Sequence, residues 1–247
     1  EIEKGEIVMT QERKVDFGFG CMRLPVLQLI SRILSIMGKS TSFSMPFSKK
    51  GFTYFDTAYT YHGYHAEEAV RQALVQRHPR DSFQLVTKMP LRDFKDAEDL
   101  ERIFREQLTH CGVEYFDYYL LHNMGTNVYE KCRKYDAFGF VARKKAEGKI
   151  HQVGMSFHDM PELLDEILSQ YGEVLDFIQL QINYVDWEQP NVQSRRCLEV
   201  ARKYGKPVTV MEPVRATLVN LPAAAEALLR AKRPDASNAS WAMRFAA

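Results

Sequence analysis

A tyrosine donates a proton readily near neutrality only if something stabilises its phenolate, because a free phenol has a pKa of about 10. This sequence carries the parts for that task. Tyr61 stands in "YFDTAYTYHGYHAEEAV", where a short apolar run ends on Asp56, and Lys88 ends a second such run, "FQLVTK". An ammonium beside the phenol favours phenolate, and a carboxylate behind the lysine keeps that lysine charged and oriented. His122, directly after "YYLL", can hydrogen-bond the same substrate oxygen, either to orient a carbonyl or to relay a proton. Asp56, Tyr61, Lys88 and His122 together describe protonation of a carbonyl oxygen.

Each of these residues has a plainer reading. A lone lysine after a strand is usually a surface charge, and a lysine in such a place could instead form a Schiff base in a lyase or isomerase. His62, His65 and Glu68 of "HGYHAEE" have spacings that could suggest a metal site, but two loop histidines beside a helix start read as solvated, and no metal is expected. Glu67 and Glu68 suit the first turn of a helix through its macrodipole, with no further role required. Cys21 reads as a small apolar residue, with a reactive thiol as the alternative.

The elements that must position these groups follow a regular rhythm. Short β-branched or aromatic runs at 17–21, 52–55, 84–87, 117–121, 152–155, 177–181 and 208–211 read as buried strands, with successive ends 26 to 34 residues apart. That is the length of one strand-plus-helix unit. Helical periodicity fills the gaps, at 67–76 and at 98–111, where Leu100, Ile103, Phe104 and Leu108 share a face. Gly112, Gly148, Gly172 and Gly205 follow such runs, where a left-handed helix end is expected. Seven βα units without a compositional break predict one domain, a parallel α/β barrel, ahead of an open doubly wound sheet. Asp56, Lys88, His122 and Ser156 each fall just past an expected strand end, and in a barrel those ends converge on one face.

Composition excludes other classes. The 247 residues, 45% hydrophobic and 26% charged, suffice for a single large core. A net charge of +1 offers neither a basic stripe for nucleic acid nor an acidic tail, and no apolar run reaches membrane-spanning length. Cys21, Cys111, Cys132 and Cys197 lie far apart without a CxxC, which points to a reducing cytoplasm. The charged "EIEKGEIVMTQERK" does not read as a secretion signal, and Met9 is the expected natural start.

"FDTAYTY", "LVTKMP", "YYLLHN" and "VGMSFH" resemble, in order and context, motifs of the aldo-keto reductases. The resemblance implies a (β/α)8 barrel that binds NADPH, less often NADH, across the strand C-termini without a Rossmann fold. It implies hydride transfer to the carbonyl carbon of a small aldehyde or ketone while Tyr61 protonates the oxygen, with Asp56, Tyr61, Lys88 and His122 as the catalytic tetrad. Ser156 and Gln179 would hold the nicotinamide carboxamide. Gly20, Cys21 and Met22 would border the cofactor at the first strand, with Asp56 and Glu212 completing the set. Two positions depart from the pattern: Phe157 stands where many members have Asn, and Glu212 stands near the usual stacking Tyr. "GFGCMRLP", "GMSFH" and "MEPVR" resemble a prokaryotic subgroup whose members often continue into an iron–sulfur segment, although no cysteine cluster occurs here. The sequence ends at "SWAMRFAA", inside the helix expected after strand seven. The barrel is therefore expected to lack its eighth strand and the adenosine-phosphate loop, leaving two open edges. Residues 28–50 are atypical, because their serines and Pro46 are poor helix material where the first barrel helix belongs. Back-translated codons read in a shifted frame give an amphipathic pattern there, so a reading-frame change is expected and the segment should be irregular.

Overall fold

Seven parallel strands lie side by side in chain order, β1 (Gly18–Gly20), β2 (Tyr54–Asp56), β3 (Gln84–Pro90), β4 (Phe116–Met124), β5 (Ile150–Phe157), β6 (Phe177–Gln181) and β7 (Val208–Met211). The computed structural model describes residues 18–23, 53–215 and 218–247. The atypical 28–50 segment and Met9 lie outside the described residues. Helices cross between successive strands: α1 (Ala66–Val70, continuing as one π turn, Arg71–Val75), α2 (Ala97–Cys111), α3 (Thr126–Lys134), α4 (Ala137–Ala146), α5 (Pro161–Tyr171) and α6 (Ser194–Lys203). After β7 the chain forms two short helices rather than one, α7 (Ala223–Lys232) and α8 (Asn238–Ala246).

Strand alternation builds two environments. Phe55, Leu85, Met89, Tyr119, Leu121, Val153, Met155, Ile178 and Leu180 face the helices and belong to the main core. The opposite faces converge on the barrel axis, where Val86, Leu120 and Phe177 pack with Tyr54 and Tyr118 as an aromatic floor. Tyr118 lies edge-on to both Tyr54 and Phe177, with ring centroids 5.1 and 5.5 Å apart. Gly154 makes room for this floor, since a methyl group there would overlap the Phe177 ring.

Local signals explain α2. Asp96 caps its N-terminus by accepting from the Asp99 N–H at 2.9 Å, and Gly112 ends it at φ 67°. Gly172 departs from the expected left-handed end, since its φ is −54° and α5 ends without a left-handed residue. The strands also depart from the expected limits. β3, β4 and β5 run two to three residues further, so Lys88, His122 and Ser156 lie within strands instead of just past them. Nor are all seven strands buried: β7 is half-exposed along its length, and β1 and β7 each pair on one side only among the described residues.

Candidate active site

The upper layer of the barrel interior is polar. Two residues above Tyr54 on β2 stands Asp56, two above Val86 on β3 stands Lys88, two above Leu120 on β4 stands His122, and two above Phe177 on β6 stands Gln179. The same period that lays the floor therefore raises a ring of functional groups at one mouth. Ser156 and Gln179 are directly paired across β5 and β6.

Lys88 is the centre of this layer. Its Nζ donates to Asp56 Oδ1 at 2.5 Å and to the Thr57 carbonyl at 2.7 Å, and the side chain is 1% exposed. Burial works against its charge, but Asp56 and Tyr61 outweigh that cost and hold the ammonium above its ordinary pKa. A Schiff-base nucleophile needs the neutral amine, so this geometry opposes the lyase reading. Nζ also sits 5.0 Å from the centroid of the Tyr61 ring, which in turn lies edge-on to His122 with centroids 5.7 Å apart. Asp56, Tyr61, Lys88 and His122 are thus brought together. Gln179 joins them by donating from Nε2 to Asp56 Oδ2 at 3.2 Å.

Two charge states differ from the simple expectation. Burial raises the Tyr61 phenol more than Lys88 lowers it, with Asp56 adding to the rise, so the group stays protonated rather than being drawn toward neutrality. His122 is pushed down to about 3 by burial, with Lys88, His158 and Arg92 adding to the effect. A neutral imidazole can orient a carbonyl by hydrogen bonding, and is a poor proton donor unless its other nitrogen takes up a proton at the same time. Cys21 is buried beside Asp56 and Lys88, and burial pushes its thiol up to about 12, which makes it inert rather than reactive.

The remaining expected contacts fall at the rim. Gly20 ends β1, and Cys21 and Met22 form the turn after it, Cys21 buried and Met22 exposed. Glu212 follows β7 at φ 54°, and its carbonyl accepts from Asn183 Nδ2 at 3.2 Å. His62 Nε2 is paired with the Cys21 carbonyl at 2.9 Å, whereas His65 sits 3.9 Å from Glu68 in an exposed pair. Among the described residues, no group of three or more His, Cys, Asp or Glu could hold a metal ion.

A sequence profile described as the Aldo/keto reductase family matches residues 45–242. The chain belongs to the aldo/keto reductase family. Among curated relatives it is 30% identical over 147 residues to "Probable aldo-keto reductase 1" of Glycine max, a match covering 56% of this chain and 40% of that protein. The chain thus spans under half the length of this relative. Solved aldo-keto reductases share the fold. The thermostable enzyme Tm1743, solved with the inhibitor epalrestat, superposes with a TM-score of 0.71 at 24% identity, covering 90% of this chain and 77% of its own. AKR11C1 from Bacillus halodurans in its holo form gives 0.68 at 20% identity over 92% and 76%, and an NADPH complex from Klebsiella pneumoniae gives 0.65 at 22% over 90% and 73%. The seven-stranded curl is accordingly the larger part of a (β/α)8 reductase barrel.

The family implies a nicotinamide cofactor, and the donors and acceptors here fit its carboxamide. Ser156 Oγ accepts from the Asn123 N–H at 2.8 Å, and its own proton has no acceptor among the described residues. Gln179 donates to Asp56, while its Oε1 has no donor among the described residues. A hydroxyl donor and an amide acceptor on neighbouring strands complement a carboxamide's C=O and NH2.

Sequence reading missed several buried polar groups. Asn183 and Asp186 form a knot after β6, in which Asp186 accepts from Gln181 and Asn183 at 2.6 Å each and pairs with Arg215 at 2.6 Å. Glu67, read as a first-turn acid suited to the helix dipole with no further role, is 1% exposed. Its place on the same helix face as Val70 and Leu74 is the signal that marks it.

Proposed function

We infer that this chain is an NAD(P)H-dependent reductase of a small aldehyde or ketone. The observation that carries this reading is the contact set of Lys88 with Asp56 and the Tyr61 ring, beside a neutral His122, at one mouth of the barrel. Ser156 and Gln179 would hold the carboxamide of NADPH or NADH, with Gly20, Cys21, Met22, Asp56 and Glu212 bordering it, and the bound cofactor would supply the hydride. The NADPH complex of the Klebsiella pneumoniae relative supports this cofactor.

The chain's own residues manage the oxygen. His122 donates an N–H to the carbonyl oxygen and fixes its direction. The Tyr61 O–H faces the same oxygen and gives its proton as negative charge develops there. An alkoxide is a far stronger base than a phenolate, so a phenol kept protonated by burial still transfers downhill. Lys88 stabilises the phenolate left behind, and Asp56 keeps Lys88 charged. Four buried, unpaired thiols suit a reducing cytoplasmic setting. The likeness of "GFGCMRLP", "GMSFH" and "MEPVR" supports placement in the prokaryotic subgroup.

Tyr61→Phe tests the assignment. Carbonyl reduction should fall by about 10²–10⁴-fold, with cofactor affinity from nicotinamide fluorescence nearly unchanged. A variant that keeps more than about a tenth of parental kcat would sink Tyr61 as proton donor.

A further inference from the structure

A second polar network lies on the opposite face of β3 from the site, between that strand and helices α1 and α2. Glu67 is its hub. One carboxylate oxygen, Oε1, accepts from Thr87 Oγ1 at 2.5 Å and from Gln107 Nε2 at 2.9 Å, and the other, Oε2, lies 3.2 Å from His110 Nδ1. Gln107 is held from its other side as well, because the Tyr119 hydroxyl donates to its Oε1. Thr87, Gln107 and Tyr119 are fully buried. Burying a carboxylate among apolar helix faces is costly unless its hydrogen bonds are made, so such a network marks a position where the fold uses it.

The use is visible at Lys88. The Thr57 N–H makes the last β2 hydrogen bond to β3, at the Val86 carbonyl, 2.9 Å away. The chain then turns so that the Thr57 carbonyl can accept from Lys88 Nζ. The next β3 carbonyl on that side belongs to Lys88 itself, and β2 has already ended. Gln107 Nε2 fills the gap, donating to the Lys88 carbonyl at 3.0 Å. A backbone carbonyl buried without a donor would be costly, and this one lies at the residue whose side chain must be held to within a fraction of an ångström.

We propose that Glu67 is a positioning residue for Lys88, orienting the Gln107 amide that replaces the missing β2 rung and anchoring Thr87 beside it. His110 closes the network toward solvent. A carboxylate at Glu67 fixes which end of Gln107 faces the strand, since it accepts only from the NH2 end while Tyr119 donates only to the oxygen. Replacing that carboxylate with an amide removes the distinction, and Lys88 loses its fixed distance to Tyr61.

This inference rests on the reductase reading for the importance of Lys88, so its test includes a readout independent of turnover. In the full chain, Glu67→Gln and Gln107→Met are compared with the parent, all labelled with 13Cζ-tyrosine; the Tyr61 resonance is assigned by its loss in Tyr61→Phe. The groups that face Tyr61 are Lys88, Asp56, Cys21 and His122, and all are retained in both variants. Weaker coupling to Lys88 should move the alkaline onset of the Tyr61 resonance up by about half a pH unit. It should also lower kcat by about tenfold with KM and cofactor affinity within twofold. An unmoved Tyr61 resonance in a folded variant overturns the proposal, whether or not kcat falls. Should Glu67→Gln fail to fold, Gln107→Met decides alone. A parent without reductase activity but with the resonance shift in the variants would sink the reductase reading and leave the positioning role standing.

Discussion

Replacing His122 by Asn should flatten the acid side of the stability curve. The folded chain holds this imidazole neutral down to about pH 3, by burial first and by Lys88, His158 and Arg92 in addition. An unfolded histidine protonates near pH 6.5. Below that pH the unfolded state binds the extra proton and the folded state does not, so stability falls as pH falls from about 6.5 toward 3. At pH 5 the unfolded imidazole is about thirtyfold protonated over neutral, while the folded one is almost wholly neutral. The difference in this contribution between pH 7 and pH 5 is about 2 kcal/mol. Other titrating groups, including His158, which burial, Arg92 and Lys88 also hold low, are common to both proteins and cancel in the comparison. Urea unfolding followed by circular dichroism at pH 7, 6 and 5 gives the two curves. The lost edge contact with Tyr61 shifts the variant by a constant, whereas the slope should be shallower by about 2 kcal/mol over that interval. Parallel curves for parent and variant would refute the claim that His122 is buried neutral, and with it the claim that it orients a carbonyl without a charge.

The buried pair at the site should behave as a coupled unit. Lys88→Met strands Asp56 beside an apolar side chain and should cost about 3–5 kcal/mol in urea unfolding, while adding Asp56→Asn should recover much of that loss; additive single effects would contradict the coupling. Gly154→Ala places a methyl against the Phe177 ring and should cost about 1–3 kcal/mol by overpacking the floor. An unchanged urea midpoint would mean that the ring has room to move.

The barrel rhythm and the convergence of Asp56, Tyr61, Lys88 and His122 at one mouth were legible because both depend on short-range pattern. β6 and β7 match their expected limits, since apolar runs bounded by polar residues leave little choice. β3, β4 and β5 proved longer because polar residues that would normally signal a strand end point into the barrel interior, where Lys88 pairs with Asp56, Ser156 accepts from the Asn123 N–H and His122 lies against the Tyr61 ring. Gln107 was readable in principle: it interrupts the stripe Leu100, Ile103, Phe104 and Cys111 on the buried face of α2. Glu67 was obscured by a competing local explanation, the helix dipole, which accounts for acids in a first turn without regard to what lies behind them. The Asn183–Asp186 knot depends on Arg215, brought close only by the fold. The charge states of Tyr61 and His122 were out of reach for a similar reason, because burial sets both and burial is a property of the assembled barrel.

Asp56 and Gln179 are separated by 123 residues, yet they meet across the barrel axis. Contacts between neighbouring strands span one βα unit and can form as soon as each unit is made; this one cannot. During synthesis at about 5–20 residues per second, Asp56 and Lys88 can pair once β3 has left the ribosome, and then wait several seconds for β6. Throughout that interval the second Asp56 oxygen faces an open, half-built curl whose floor still lacks Phe177. The polar layer therefore closes later than the strand pairings that flank Asp56 and Lys88, and any chain released before β6 would carry an ion pair with no wall opposite it.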